Sequence, residues 1–226
     1  MGHPSSVDKN LISKNDKRLI QNVVNVTHQD VGCEVLVTVV TGLEEAILQA
    51  YGDAVCRKAC NGRKTAELAK KMLRGSHMPA LFAAAAEHPT VELNLADNQL
   101  EAAGMPALAE QLASDTCVTS ITLRGNDIGG ASDEDEGIPT PDGPAALAAG
   151  LAKNIVLAVL NLAETGIESR GATQLFAFLQ LNRTLQHLDL EGNPLGHEGT
   201  RDLVDALKVN TTLRSLNLRE NKLGNE

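Results

Sequence analysis

The C-terminal three fifths of the chain carries a repeated pattern of apolar positions. In the block 185–195, leucines occupy the first, fourth, sixth and eleventh positions and an asparagine the ninth. Similar blocks begin at Thr90, Val118, Leu157 and Leu213, so that successive blocks start 28, 39, 28 and 28 residues apart. Side chains alternate between the two faces of a strand. The alternating apolar residues therefore predict a short strand in each block.

A helical pattern follows each of the first four blocks. It consists of a glycine and two leucines at four-residue spacing: Gly104, Leu108, Leu112; Gly143, Leu147, Leu151; Gly171, Leu175, Leu179; Gly199, Leu203, Leu207. This spacing predicts an amphipathic helix. Because one strand and one helix cannot bury both apolar faces alone, stacked units are expected to share a parallel sheet and an aliphatic core.

The complete pattern, L-x-x-L-x-L-x-x-N-x-L followed by G-x-x-x-L-x-x-x-L, resembles the 28-residue, ribonuclease-inhibitor-like type of leucine-rich repeat. The resemblance covers residues 90–226 and implies an α/β, right-handed solenoid of five strand blocks, with the parallel sheet inside, helices outside and an incomplete last repeat. It also implies that a side chain in each turn bonds the backbone between adjacent repeats. These structural turn residues are Asn98, Asn126, Thr165, Asn193 and Asn221.

Residues 1–89 lack the repeat and are expected to form a mainly helical N-terminal capping region. Within the non-repeat region 1–63, helices are predicted over Leu11–Val26 and Leu43–Cys60, and 34–40 could be a strand or the start of the second helix. Within 64–89, helices are predicted over Lys64–Arg74 and His77–His88. The latter would be the helix of an incomplete repeat.

The second repeat contains 11 residues more than the others, between Ile128 and Gly143. The insertion includes the acidic run Asp133, Glu134, Asp135 and Glu136, together with glycine and proline. Such a composition cannot supply buried surface, so an exposed loop is predicted. An acidic loop could attract a basic partner, whereas the run lacks the ligand spacing of a metal site.

The formal net charge of −9 argues against nucleic acid as a partner, because phosphate binding requires a basic surface. Residues 1–88 carry 11 Lys and Arg against 9 Asp and Glu, while residues 89–226 carry 9 against 20. The repeat region is therefore acidic and is expected to attract a protein with a basic surface.

The four cysteines are too few and too irregularly spaced for a secreted disulfide scaffold, which favours a cytoplasmic protein. A membrane association is not expected, since no apolar run approaches about 20 residues. Gly2 lies in a minimal myristoylation pattern, but no basic cluster accompanies it.

The sequence contains no motif for catalysis and predicts no cofactor or metal. Cys56 and Cys60 lie four residues apart on a predicted helix and could lie near His28, but zinc requires a larger ligand set. His187 and Asp189 form one suggestive pair, for which a surface hydrogen bond is the simpler interpretation. We therefore expect a protein that is not an enzyme.

In this repeat family the partner usually binds the concave face of the sheet. The resemblance assigns that role here to Glu92, Asn94, Thr122, Arg124, Asn161, His187, Asp189, Glu191, Asn217 and Arg219. No Tyr or Trp is available there as a binding hot spot. The open C-terminal edge is also expected to be covered, by another chain or by further residues.

These observations favour a non-enzymatic scaffold or adaptor, a subunit of a larger eukaryotic assembly with the cytoskeleton as one setting. The segments 91–95 and 209–218 also resemble the C-terminal repeat domain of tropomodulins, which implies actin capping as one alternative. The other alternative is a regulator of an enzyme, similar to repeat proteins that activate GTPases or inhibit nucleases.

Overall fold

Six short strands alternate with helices in the computed structural model, which describes residues 33–88, 90–129 and 142–223, with the side chains of 33–45 and 47 excepted. The elements are α1 (Cys33–Cys60), β1 (Thr65–Glu67), a 3-10 turn (Gly75–His77), α2 (Met78–Glu87), β2 (Glu92–Asn94), α3 (Glu101–Ser114), β3 (Ser120–Thr122), α4 (Gly143–Lys153), β4 (Val159–Asn161), α5 (Ser169–Leu181), β5 (His187–Asp189), α6 (Gly196–Val209) and β6 (Ser215–Asn217).

All six strands form one parallel sheet in chain order. The apolar residue at the centre of each strand aligns with its equivalent in the next repeat, for example Leu160 with Leu188 and Leu188 with Leu216. A helix separates each strand from the next, as parallel pairing requires. The predicted α/β solenoid, with its helical N-terminal region, is confirmed.

The core is a continuous aliphatic layer between the sheet and the helices. Leu160 is 1% exposed and Leu188 2% exposed, so both are enclosed by neighbouring repeats. Helix leucines such as Leu108 and Leu175 are fully buried from the other side. The layer is mainly aliphatic because most repeats place leucine, isoleucine or valine at equivalent positions, and Phe82, Phe176 and Phe178 also lie in it.

The helix predicted over Lys64–Arg74 is wrong, because this segment contains strand β1. Ala66 pairs with Leu93 in parallel register and is fully buried. The block was hidden in the sequence because alanine replaces the central leucine and Lys71 occupies the asparagine position. The sheet therefore has six strands in the described residues, one more than the five predicted.

Helix α1 covers the first repeat. It includes residues 34–40, so the strand considered there does not form, and its second half agrees with the helix predicted over Leu43–Cys60. The predicted helix Leu11–Val26 lies outside the described residues. The buried ring of His77 joins α1 to the 3-10 turn: its Nε2 lies 3.2 Å from the Leu48 carbonyl, and the Arg74 amide donates to its Nδ1 at 2.9 Å.

Small residues allow the outer helices to approach closely. A Cβ atom added to Gly150 of α4 would lie 2.6 Å from the Cα of Ala109 in α3, a separation that rigid backbone cannot accommodate. Gly150 therefore sets the distance between these two repeats on the helical side. The spacing of the helices in turn sets how the sheet presents its other face.

Candidate functional site

The concave side of the sheet is held in register by the turn asparagines. Asn98 donates to the carbonyls of Leu68 and Leu95, both at 2.9 Å, and its Oδ1 accepts from the amides of Lys71 and Leu73 at 2.9 and 3.0 Å. One buried side chain thus satisfies four backbone groups in two repeats. Because an unpaired buried polar group is costly, these bonds fix each turn against its neighbour.

The same arrangement recurs in the later repeats, with one difference. Asn126 and Asn193 both donate to the strand carbonyl of the preceding repeat, at 2.9 and 2.7 Å. The Thr165 hydroxyl instead donates to Leu162 in its own repeat at 2.7 Å and to Asn193 Oδ1 at 3.1 Å. The link to the preceding repeat is made by the Thr165 carbonyl, which accepts from the amides of Ile128 and Gly129.

Besides Met72, Gly166 and Lys222 in three of the turns, every turn contains a residue with a left-handed backbone two positions after the second leucine of its strand block. These residues are Lys70, Asp97, Gly125, Glu164, Gly192 and Glu220, with φ between 52° and 69°. Four of the six have charged side chains, which the turn directs to the edge of the concave face. Lys70 approaches Asp97 at 3.8 Å, and Arg124 pairs with Glu164 of the next repeat.

Polar side chains on the concave face are joined from strand to strand. Asn94 donates to Glu67 at 2.7 Å, and Thr65 donates to Glu92 at 2.7 Å. Further along the sheet, Asn217 donates to Glu191 at 2.9 Å, and a longer contact of 3.4 Å joins Asn161 to Asp189. These hydrogen bonds favour particular orientations of the carboxylates on the surface.

The ten residues expected on the concave face all lie on that side of the strands or directly after them. Those on the described strands alternate with the buried leucines, and His187 and Asp189 lie two positions apart on the same face of β5. None of the ten is buried. The sheet brings them together into one surface, which Glu67 of the unexpected strand β1 extends.

The surface is predominantly acidic. Across the strands and their left-handed turn residues there are seven carboxylates, at Glu67, Glu92, Asp97, Glu164, Asp189, Glu191 and Glu220, and three cations, at Lys70, Arg124 and Arg219. Two of the cations are paired with carboxylates of the same surface. Close spacing of fixed carboxylates favours a ligand that carries positive charge.

A second set of asparagines was not recognised in the sequence. Asn154, Asn182 and Asn210 follow the last residues of α4, α5 and α6, and all are buried. Their amides donate to the preceding helix, Asn210 reaching the Leu179 carbonyl at 2.6 Å, while their Oδ1 atoms accept from the two amides at the start of the strand block. Their exact 28-residue spacing, three residues before each leucine block, was a signal available in the sequence.

The cysteines show no reactive or metal-binding arrangement among the residues the structure describes. Cys56 and Cys60 are free, buried thiols on α1. Burial, reinforced by the neighbouring Cys60 and Asp53, raises the pKa of Cys56 from 9.0 to about 12, which keeps the thiol protonated and a poor nucleophile. In the same part of the chain, no cluster of three or more His, Cys, Asp or Glu could hold a metal ion.

Some predicted features lie outside the described residues. These are the acidic run Asp133–Glu136, the myristoylation pattern at Gly2, and His28. Among the helices that the structure describes, none is long and apolar enough to cross a membrane.

Comparison with known proteins gives a match to leucine-rich-repeat sequences and similarity to solved structures. The leucine-rich-repeat pattern matches residues 89–109, 181–204 and 209–226. A solved structure titled "Leiomodin-1 Actin-Binding Site 2 (ABS2)" is similar at 25% identity and a TM-score of 0.47, over 56% of this chain and 69% of that one. At that TM-score the similarity says nothing about what this chain binds. No curated protein sequence matches the chain. The matched segments and the parallel strand–helix stack together show that this chain contains leucine-rich repeats.

Proposed function

We propose that the chain is a non-enzymatic interaction scaffold whose concave face binds a basic segment of a partner protein. The observation that carries this proposal is the strand-to-strand network of fixed carboxylates. Glu67, Glu92 and Glu191 each accept a hydrogen bond of 2.7 to 2.9 Å from an adjacent strand. Binding to such a surface requires little additional ordering of side chains.

The same network explains how the face could discriminate between partners without an aromatic hot spot. Each carboxylate retains exposed oxygen lone pairs after its bond to an asparagine or threonine, since a carboxylate can accept about four hydrogen bonds. Arg or Lys side chains at the spacing of the strands, about 4.8 Å, could engage successive repeats. An acidic partner would meet like charges and would be disfavoured.

Selection from a random peptide library displayed on phage tests this proposal directly. The enriched peptides should include a class rich in Lys and Arg, and the affinity of that class should fall with increasing ionic strength. The double variant Glu92→Lys with Glu191→Lys should weaken binding by about 10-fold or more. A matched control, Glu110→Lys with Glu198→Lys, makes the same charge change on exposed positions of α3 and α6 and should have little effect.

Equal loss of binding in both double variants would show that net charge, rather than the concave face, controls association. A selection that enriches no peptides rich in Lys and Arg would contradict the proposed partner chemistry. Either result would require a different binding surface.

The alternative of actin capping is based on a sequence resemblance whose residues have structural roles in this fold. In the tropomodulin-like segment 209–218, Asn210 bonds the helix end, while Leu213, Leu216 and Leu218 pack against the core. These residues specify the repeat and not its partner. Co-sedimentation with actin filaments would test this alternative, and we expect the chain to remain in the supernatant.

A further inference from the structure

A second surface, with the opposite charge, lies where the outer helices end and the strands begin. Three loops form it, at 153–158, 181–186 and 208–214, and we call this surface the basal rim. Adjacent loops are in direct contact: the Gln186 amide donates to the Ala158 carbonyl and the Arg214 amide to the Gln186 carbonyl, both at 2.8 Å. The loops therefore form a continuous edge with a defined shape.

Large apolar side chains are exposed on the basal rim. Leu181 is 75% exposed and Ile155 73%, the highest values among the exposed large hydrophobic residues of the described chain, and Val209 is 52% exposed. Repeat packing does not require apolar residues there. Threonine occupies the position of Ile155 in two other repeats, at Thr116 and Thr211, while Ser114 and Lys153 occupy that of Leu181.

The basal rim is also basic, in a chain whose formal net charge is −9. Lys153, Arg183, Lys208 and Arg214 are all exposed, and the three loops contain no Asp or Glu. The corresponding loop of the preceding repeat differs, because the acidic residue Asp115 follows the helix there, at the position that asparagine occupies in the three loops. The basic and apolar character is thus confined to three consecutive repeats.

Helix electrostatics explain the cations but not the apolar side chains. Positive side chains are favourable at helix C-termini. Arg183 donates to the carbonyls of Gln180 and Asn182, at 2.7 and 3.0 Å, and Lys208 pairs with Asp205 at 2.7 Å. Neither the bonding of helix-end carbonyls nor the ion pair requires an apolar residue such as Ile155 or Leu181 nearby. Large exposed apolar side chains on adjacent loops, together with cations of the same sign, are the composition of a binding site.

We propose that the basal rim binds an acidic, amphipathic segment of a partner protein, with apolar side chains on Ile155, Leu181 and Val209 and carboxylates on the surrounding cations. The concave face and the basal rim would then select partners of opposite charge. The alternative of an anionic lipid surface is disfavoured by charge, because residues 89–226 carry 20 Asp and Glu against 9 Lys and Arg. A bound peptide would contact only the basal rim. Salt screens charges over about 8 Å, so the acidic groups elsewhere on the chain would repel a peptide less than an extended anionic membrane.

Peptides selected on the full chain from a phage-displayed random library provide the probe. The expected class combines Asp or Glu with Leu, Ile or Phe, and its affinity is measured by fluorescence anisotropy. The variant Ile155→Thr with Leu181→Ser introduces residues that this chain already uses at the equivalent positions, so the fold should tolerate it. Binding should weaken by about 10-fold or more, and likewise in Lys153→Glu with Arg183→Glu.

Two controls separate the rim from other surfaces. Met72→Ala removes a side chain that is 51% exposed in the first repeat turn and should leave the affinity unchanged. Glu92→Lys with Glu191→Lys alters the concave face and should not weaken the acidic peptides. Failure of the rim proposal would therefore leave the concave-face proposal intact.

Four outcomes would overturn the proposal. The first is the absence of acidic amphipathic peptides among those selected, and the second is equal binding by the rim variants. The third is co-sedimentation with phosphatidylserine vesicles without peptide binding, which would identify a lipid surface as the occupant. The fourth is a dimer in light scattering that Ile155→Thr with Leu181→Ser dissociates, which would identify a second copy of the chain.

Discussion

Asn193 Oδ1 accepts a hydrogen bond of 3.0 Å from the backbone amide of Ile167, one repeat earlier. The same oxygen accepts from the Thr165 amide, and the Asn193 amide group donates to Leu162 and Leu190. Removing the side chain leaves several buried backbone groups unpaired. We expect Asn193→Ala to lower the free energy of unfolding by about 1–3 kcal/mol, measured with urea.

Asn221 is the matched control for that prediction. Its amide group donates to Leu190 and Arg219, but its buried Oδ1 has no hydrogen-bond partner among the described residues. Asn221→Ala should therefore cost less than Asn193→Ala. Equal costs would show that the hydrogen bonds accepted by Asn193 Oδ1 contribute little to stability.

The core provides a second prediction. Leu188 is 2% exposed between adjacent repeats, so Leu188→Ala should leave a cavity and cost about 2–5 kcal/mol in chemical denaturation. Leu207→Ala, at a residue that is 39% exposed, should cost distinctly less. A cost below about 1 kcal/mol for Leu188→Ala would contradict its packing between repeats.

The Cys56 thiol predicts a dependence of stability on alkaline pH. Its pKa is raised in the folded protein, from 9.0 to about 12, so folding favours the protonated form. Its contribution is fully present below pH 9 and is lost as the pH rises toward 12. The urea midpoint should fall over that range, and the fall should be smaller in Cys56→Ala. An identical pH profile for the two proteins would contradict the assignment.

The insertion between Ile128 and Gly143 can be tested by replacement. Joining Ile128 to Gly143 through Glu-Ser-Arg, the equivalent linker of the following repeat at 168–170, should retain the fold, because the insertion has little apolar content. Circular dichroism and the melting temperature would measure the result. Loss of folded protein would show that the insertion contributes to the structure.

The exposed edge of β6, the last described strand, leads us to expect that another chain segment binds there. Leu213, Leu216 and Leu218 are only partly buried, whereas Leu188 and Leu190 of the preceding repeat are 2% and 0% exposed. We expect this edge to be covered by a partner, by further chain or by a second copy. Light scattering over a range of concentrations measures self-association. A monomer whose amide exchange is rapid only in the final strand would indicate fraying instead.

Sequence patterns predicted those repeats in which leucine occupies the strand positions. Strand β1 was missed because Ala66 supplies too little apolar signal and Lys71 lacks the side-chain amide that marks the turn. The concave face followed from alternation along each strand, but its hydrogen bonds depend on side-chain geometry. Exposure of Ile155 and Leu181 was not predictable either, because apolar residues in a leucine-rich sequence look the same whether they pack inside or face water.

Thr165 is expected to make one step of the solenoid less rigid than the others. Its hydroxyl bonds only within its own repeat and to the following one, so the step between β3 and β4 lacks the side-chain clamp that Asn98 and Asn193 provide elsewhere. The insertion after Ile128 lies at the same step. Under bending or tension, the stack should open there first and behave as two stiff arms about a hinge. The affinity of a partner that spans the concave face would then depend on the angle between the arms, and its binding would in turn fix that angle.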